Sequence, residues 1–112
     1  MGDIQLVVAD IDGTLVTRDK RVTPAALAAI EKLRRSGIRF TVISSRPPRG
    51  IKVVADVVGL TDPVPAFNGG LVVRPDLTTV LREKLLESVV AKRLIGRLTE
   101  LKTGIWVYTD KD

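Results

Sequence analysis

Two aspartates with one residue between them are the feature of this sequence best suited to chemistry. Asp10 and Asp12 follow a short apolar run, and two-residue spacing can direct both carboxylates to the same side of an extended chain. Two like charges this close repel, which raises one pKa unless a cation or a proton lies between them. One arrangement that removes the conflict is a bound Mg²⁺ ion, with one carboxylate attacking phosphorus and the other moving a proton.

The same pair also has an ordinary structural interpretation. Asp10 can simply end a strand, and Asp12 can begin an Asx turn with Gly13. Against this, a buried strand seldom carries two acids without a function for them. These residues alone leave both interpretations open.

The composition narrows the chemistry that the rest of the chain can offer. The 112 residues include no cysteine and no histidine, which excludes disulfides, thiolate zinc sites, a cysteine nucleophile and the usual general base. Acid–base chemistry must therefore fall to carboxylates, lysines or tyrosine. Hydrophobic residues make up 45% and charged residues 28% of the chain, the balance of a globular protein.

The net charge of +5 suits a small phosphorylated substrate. Basic residues are scattered with no run longer than a pair, and few aromatic residues are available to stack on bases, so we expect no nucleic-acid partner. The mixed charges of residues 18–21 indicate a solvated loop.

No apolar run approaches the ~20 residues that cross a bilayer, and no signal-peptide layout opens the chain. We therefore expect no membrane partner and a cytoplasmic location.

The aspartates need a scaffold, and the hydrophobic pattern predicts one that begins with a strand and a helix. An apolar run over residues 5–9 leads directly into Asp10 and indicates a strand buried on both faces, as in parallel sheets. The next element is a helix, because Thr23 can cap it, proline follows at the first helical position, and Gly37 can end it.

A second strand and helix follow, and then a third strand. Residues 38–43 form the strand that leads to Ser44, and a helix opens at Pro47. Residues 65–67 form a shorter strand that runs into Asn68. Ligands bind at the carboxyl edge of open parallel sheets, so the polar residues after the three strands are expected to converge there. The predicted apolar side of the second helix consists of Val53, Val54, Val57 and Val58.

The pattern changes after Gly70. Residues 71–73 and 80–82 predict a hairpin, and residues 105–108 predict one more strand. Between them lies a predicted helix capped by Ser88. Its apolar stripe consists of Val90, Leu94, Leu98 and Leu101.

Three motifs in order resemble the haloacid dehalogenase superfamily. Residues 7–15 resemble its first signature, an apolar strand followed by D-x-D-G-T-L. Residues 42–44 supply the second, an apolar strand ending in Ser or Thr, and residues 44–47 resemble the T-G-R-P of the Cof-type, or IIB, sugar phosphatase branch. That branch also carries an Asn-Gly after its third strand, which residues 68–69 match. Motifs at the ends of three successive strands make this resemblance specific.

The resemblance implies a role for each matching residue. Asp10 would form an aspartyl-phosphate and ligate Mg²⁺. Asp12 would protonate the leaving oxygen, then deprotonate water, and give the metal its backbone carbonyl. Ser44 would donate its hydroxyl to the phosphoryl oxygens.

Three further positions would complete the phosphate-binding surface. Asn68 would shape the floor of the site, and Ser45 stands where the branch usually has glycine. Arg46 has two interpretations that both stay open: its guanidinium can contact substrate, or it can fix the loop.

The resemblance also implies a fold and a domain organisation. The fold class is α/β, with the first part of a Rossmann-like parallel sheet core over residues 1–74 and the beginning of an inserted α/β cap over residues 75–112. Two further family motifs, a lysine and an acidic pair, would lie downstream of this sequence. In the family's sheet a later strand pairs with the free side of the first. We therefore expect an open edge at Leu6–Val8, which would pair with the rest of the polypeptide or self-associate.

Three functions stay open at this point. The first is a Mg²⁺-dependent phosphatase acting on a small phosphorylated metabolite such as a sugar phosphate, with the present chain inactive by itself. The second is a phosphomutase of the same superfamily, which returns the phosphoryl group to substrate instead of water. The third is a non-catalytic fragment that binds phosphate weakly.

Overall fold

A computed structural model describes residues 3–109, and within them it has an α/β fold, as predicted. The strands are β1 (Leu6–Asp10), β2 (Arg39–Ile43), β3 (Val64–Ala66), β4 (Leu71–Val73) and β5 (Val80–Glu83). The helices are α1 (Pro24–Arg35), α2 (Pro48–Val58) and α3 (Ser88–Glu100), and a 3₁₀ turn at Phe67–Gly69 follows β3.

The parallel pairing of β1 with β2 sets the position of the candidate site. The register runs from Leu6 opposite Arg39 to Asp10 opposite Ile43. Both strands therefore end at the same edge, and Ser44 is the residue that follows β2 there. The predicted parallel sheet is confirmed for these two strands.

The third strand is placed differently from the prediction. β3 pairs antiparallel with β4, and β4 pairs antiparallel with β5, which confirms the hairpin. β3 still lies beside β2, because the Ser44 amide donates to the Pro65 carbonyl at 3.3 Å and the Thr41 hydroxyl donates to the Pro63 carbonyl at 2.8 Å. A three-residue strand with proline at its centre has no central N–H to donate to a ladder. Pro65 therefore gives β3 only a partial attachment to the parallel sheet.

Helix α1 begins and ends where local sequence signals place it. The Thr23 hydroxyl accepts a hydrogen bond from the Ala26 amide at 3.1 Å, with proline at the first helical position. Gly37 follows the helix with φ of 75°, a left-handed conformation that glycine adopts without steric cost. The predicted cap and stop are both confirmed.

The buried face of helix α2 contains two of the four residues that were predicted for it. Val53 and Val57 are exposed, contrary to the prediction, whereas Val54 and Val58 are buried. Successive residues on a helix are rotated by ~100°, so two adjacent valines cannot both lie at the centre of one face. The face that packs on the sheet consists of Ile51, Val54, Ala55 and Val58, at spacings of three, four and seven residues.

Strand β1 is less buried than predicted. The side chains of Leu6 and Val8 are 42% and 47% exposed, and the alternate residues Val7 and Ala9 are half-buried. Among the described residues β1 pairs with β2 alone, so its other edge carries unpaired backbone groups. The expectation of burial on both faces is wrong for the described residues, because the face of β1 that carries Leu6 and Val8 is left exposed by the described elements.

The segment from β5 onward contributes no buried residue within the described range. Helix α3 begins one residue away from its predicted cap, since Glu87 takes the capping position and its side chain makes no capping hydrogen bond. Its predicted apolar stripe is exposed, because no described element packs against it. The predicted strand at 105–108 is wrong, because these residues form no ladder with any described strand. No helix in the described range has the length and apolar character to span a membrane.

Adjacent valines on α2 give a matched test of this packing. Val54 is 3% exposed and Val53 is 70% exposed. We expect Val54→Ala to lower the free energy of unfolding by about 2 kcal/mol, because it removes buried methyl groups and leaves a cavity. Val53→Ala should change it by less than about 0.5 kcal/mol, as for an exposed substitution. Urea denaturation followed by circular dichroism measures both, and equal losses would contradict the orientation of α2.

Candidate functional site

The two aspartates flank a buried residue that fixes the turn between them. Ile11 is fully buried, and its carbonyl accepts from the amides of Leu15 and Val16, both at 3.1 Å. Asp10 and Asp12 on either side are exposed at the carboxyl end of β1. A buried anchor between two exposed acids holds both near the sheet edge that the β1–β2 register creates.

Asp10 presents a free carboxylate. It makes no side-chain hydrogen bond or ion pair with another residue in the described range 3–109. Its own carbonyl accepts from the Leu15 amide at 3.1 Å, which holds the backbone after β1. A carboxylate that is exposed and unpaired can bind a cation or attack an electrophile.

Asp12 has the opposite surroundings, because two cations hold it. Arg46 donates to both carboxylate oxygens, from Nε to Oδ2 at 2.8 Å and from Nη2 to Oδ1 at 2.6 Å. Lys20 Nζ also donates to Oδ1, at 2.6 Å. The fork from Arg46, followed by the bond from Lys20, lowers the pKa of Asp12 from 3.8 to about 2. Asp12 is therefore ionised at neutral pH in this arrangement.

Ser44 is the buried hydroxyl of the site. It is 2% exposed, and its Oγ accepts from the Arg46 amide at 3.1 Å. The hydroxyl proton keeps its freedom to donate, since Ser44 Oγ acts only as an acceptor toward the described residues. A buried donor at the end of a strand suits a phosphoryl oxygen.

Arg46 fixes the loops around Ser44. Its Nη1 donates to the Gly50 carbonyl at 2.9 Å, and its own carbonyl accepts from the Phe67 amide at 3.1 Å. Of the two predicted roles, fixing the loop is what these contacts do, while contact with substrate stays a prediction. The ion pair with Asp12 was not predicted.

Asn68 and Ser45 complete the set of predicted positions. The Asn68 amide donates to the Ser44 carbonyl at 2.8 Å, and its φ of 54° lies in the left-handed region that asparagine tolerates better than most residues. Ser45 is exposed in the bend after β2. The structure therefore brings Asp12, Ser44 and Asn68 together through Arg46 and the backbone. Asp10 joins them through the strand register.

The sequence interpretation missed Lys20. It lies in the loop of residues 18–21 that was assigned to solvent, yet its ammonium reaches Asp12 eight residues earlier. A lysine in a loop of mixed charge carries no local signal for such a contact. Only the chain reversal that pairs Val16 with Val22 brings it back to the site.

The oxygen donors at this edge suit a hard cation such as Mg²⁺. Mg²⁺ in proteins is commonly held by one or two carboxylates with water completing its shell, and Asp10 offers an unpaired carboxylate. The Asp12 carboxylate is occupied by two cations, so only its backbone carbonyl would be free for the metal. No group of three or more potential metal ligands lies within the described residues. The residues present therefore fit part of a magnesium site.

Comparison with known proteins gives a family match over most of the chain. A model of the haloacid dehalogenase-like hydrolase family matches residues 7–112. A 5-amino-6-(5-phospho-D-ribitylamino)uracil phosphatase from Bacillus subtilis is 33% identical over 70 residues, covering 62% of this chain and 26% of that protein. A pyridoxal phosphate phosphatase from Escherichia coli is 26% identical over 106 residues, covering 95% of this chain and 39% of that protein.

A solved structure gives the same fold. A sugar phosphatase of haloacid dehalogenase subclass IIB superposes with a TM-score of 0.72 at 18% identity, covering 87% of this chain and 38% of that one. At this identity the likeness concerns the fold. The chain thus spans roughly a quarter to two fifths of the length of these relatives.

Removal of Arg46 tests the charge balance around Asp12. We expect Arg46→Met to raise the pKa of Asp12 from about 2 toward 3.8, short of that value because Lys20 remains. A carboxylate whose pKa is lower in the folded protein stabilises the fold at pH values above 3.8, its ordinary pKa. This stabilisation is lost as the pH falls through about 2. The variant should therefore lose less stability than the parent between these two pH values. Carboxyl-carbon NMR titration in metal-free buffer measures the pKa directly.

The matched control is Lys52→Met, which removes one cation from α2. Lys52 pairs with Asp56 at 2.9 Å on the exposed side of the helix. The Lys52→Met substitution should leave the pKa of Asp12 unchanged. An Asp12 that titrates at the same pH with and without Arg46 would contradict the ion pair.

Proposed function

Because this chain belongs to the haloacid dehalogenase-like hydrolase family, we propose that the complete protein is a Mg²⁺-dependent phosphatase of the Cof type that uses Asp10 as its nucleophile. The observation that carries the proposal is the meeting of three features at one sheet edge. These are the unpaired carboxylate of Asp10, the buried hydroxyl of Ser44, and the Arg46 contacts that join Ser44 to Asp12. Each has a place in phosphoryl transfer.

The reaction would proceed in two steps through a covalent intermediate. A carboxylate oxygen of Asp10 attacks phosphorus, and the bond to the leaving oxygen breaks as Asp12 supplies a proton to it. Water, deprotonated by Asp12, then attacks the same phosphorus and releases the Asp10 carboxylate with inorganic phosphate. Ser44 donates to a phosphoryl oxygen throughout, where negative charge is concentrated.

The two cations on Asp12 must loosen their contact for it to act as an acid. With a pKa near 2 it holds no proton at neutral pH. An arriving phosphoryl group carries negative charge and competes for the same donors. We infer that substrate binding draws Arg46 or Lys20 away from Asp12 and lets its pKa rise into a catalytic range.

Mg²⁺ would be held by the Asp10 carboxylate and the Asp12 backbone carbonyl, with its remaining ligands from water and from residues beyond this segment. When bound, the ion supplies positive charge that neutralises the phosphoryl oxygens and relieves repulsion from Asp10.

The substrate would be a small phosphorylated metabolite, with a sugar phosphate as the first candidate. Relatives named as phosphatases of a phosphoribityl compound and of pyridoxal phosphate support a phosphorylated small molecule. The choice of a sugar phosphate follows from the resemblance of residues 44–47 to the Cof-type motif. We also propose that the present 112 residues are inactive alone, in line with their span of 26–39% of those relatives.

Substitution of the nucleophile tests this function in the complete protein. We expect hydrolysis of p-nitrophenyl phosphate in the presence of Mg²⁺, loss on addition of EDTA, and recovery with excess Mg²⁺. Asp10→Asn should lower kcat by at least about a thousandfold, because it removes the attacking oxygen. Asp56→Asn, an exposed acid on α2, should change kcat by less than about twofold.

The outcomes separate the alternatives. An Asp10→Asn variant that keeps its kcat would overturn the assignment of the nucleophile. Strict dependence of turnover on a bisphosphate activator would show a phosphomutase instead. The 112-residue chain assayed alone should release no p-nitrophenol above background, and full activity of this chain would contradict the proposed need for further residues.

We also propose that the open edge of β1 accepts another strand. Leu6 and Val8 expose apolar side chains beside backbone groups that no described strand pairs. An exposed apolar edge strand is a template for pairing. In the complete protein a further strand of the same polypeptide would fill it, and in the isolated chain a second copy would do so.

Size-exclusion chromatography with light scattering tests the edge in the isolated chain. We expect a mass above the 12.2 kDa of one copy. Val8→Lys should shift the chain toward monomer, because a charge on an edge strand opposes pairing. Val53→Lys, at an exposed valine of α2, should leave the association unchanged. A stable monomer of the parent chain would contradict the proposal.

A further inference from the structure

Lys20 reaches the candidate site from a turn that is held by its own hydrogen bonds. The Thr17 amide donates to the Arg21 carbonyl and the Lys20 amide donates to the Thr17 carbonyl, both at 2.9 Å. Lys20 itself has φ of 63°, a left-handed conformation uncommon for a residue with a side chain. The neighbouring residues hold this conformation, which directs Lys20 toward Asp12. Conformational strain of this kind is often found where a side chain has a function.

Lys20 is a surplus cation at Asp12. The Arg46 fork already occupies both oxygens of that carboxylate, so the ammonium is a second donor on Oδ1. The nearest acid in sequence does not compete for it, because Asp19 binds Thr17 and Arg21 instead. Two positive charges on one carboxylate leave one positive charge in excess at Asp12, and this excess can offset the repulsion between Asp10 and an incoming anion.

The surplus cation is also the less restrained of the two. The Lys20 side chain is 62% exposed, whereas that of Arg46 is 25% exposed and is further fixed by the Gly50 carbonyl. A lysine ammonium on a flexible stem can change its acceptor by rotation of the side chain alone. The contacts from Lys20 through Asp12 and Arg46 lead to the Ser44 hydroxyl. Arg46 thus joins Ser44, through its backbone amide, to the carboxylate that holds Lys20, through its guanidinium.

We propose that Lys20 is a substrate-binding residue whose ammonium leaves Asp12 Oδ1 and binds a phosphoryl oxygen when the phosphorylated substrate enters. The inference rests on the proposed function, since it assumes that the phosphoryl group binds at Ser44. It adds a cation from the β1–α1 loop to the phosphate-binding groups, and it frees one oxygen of Asp12 at the moment that substrate is bound.

Inorganic phosphate is the probe, used as a competitive inhibitor of p-nitrophenyl phosphate hydrolysis by the complete protein. We expect Lys20→Met to raise the Ki for phosphate and the KM for substrate by roughly five- to tenfold, the loss of one solvent-exposed charge-assisted hydrogen bond. The kcat should change by less than about twofold, because the contact exists in both the ground state and the transition state. Lys20→Arg should restore the Ki to within about threefold of the parent.

Two further variants separate binding from folding. Lys20→Gly removes the ammonium and also relieves the positive φ, so its melting temperature should equal or exceed that of the parent while its Ki for phosphate still rises. Arg18→Met removes one positive charge from the same loop and leaves both the Asp19–Arg21 ion pair and Asp12 untouched, so its Ki should change by less than about twofold. Equal effects of Arg18→Met and Lys20→Met would overturn the proposal, because they would show only a general effect of charge.

A fall in kcat with an unchanged Ki for phosphate would also overturn the proposal, because Lys20 would then act only on Asp12. Failure of the proposed function looks different. In that case the parent protein hydrolyses no p-nitrophenyl phosphate, or Asp10→Asn retains activity, before any Lys20 variant is compared.

Discussion

The candidate site depends on the contacts that one arginine makes with three separate loops. Arg46 holds the carboxylate of Asp12 with its guanidinium, the hydroxyl of Ser44 with its amide, and the amide of Phe67 with its carbonyl. These partners follow β1, β2 and β3 respectively. Parallel pairing brings the ends of β1 and β2 to one edge, but the pairing alone leaves the loops free. The arginine converts a shared edge into a fixed arrangement.

The two aspartates differ in their surroundings, and the difference matches the two roles proposed for them. Asp10 carries an exposed carboxylate with no partner among residues 3–109, which suits the proposed nucleophile and metal ligand. Asp12 is clamped by Arg46 and Lys20, so its protonation state depends on how firmly those cations hold it. Pairs of acids placed in contrasting environments are a common way to divide nucleophilic and acid–base work. In the proposed mechanism the charge partners of Asp12 would set its protonation, since these 112 residues contain no histidine.

Local signals predicted much of the fold, whereas contacts between distant residues escaped prediction. Thr23 and Gly37 bound α1 as expected because a cap and a left-handed glycine act within one helical turn. The position of Asp10 and Ser44 at one sheet edge could be predicted because parallel strands share an edge. The contact of Arg46 with Asp12 spans 34 residues, and no local pattern encodes it. Val53 was misplaced because a run of valines does not show which of them faces the sheet.

The burial pattern divides the chain into a stretch with a buried core and two flanking elements with exposed apolar surfaces. Every buried apolar residue in the described range lies between Ile11 and Leu77, so that stretch stabilises itself through one core. Beyond it, α3 exposes an apolar stripe and β1 exposes a strand edge, and these surfaces are of different kinds. An edge needs backbone hydrogen bonds from another strand, while an apolar helix face needs side-chain packing. One added strand could satisfy the first and leave the second open. The predicted division at 74 and 75 stays a prediction. Under that division each surface would have its own partner. The edge of β1 would be paired by another strand of the same sheet, and the apolar face of α3 would pack within the separate cap domain.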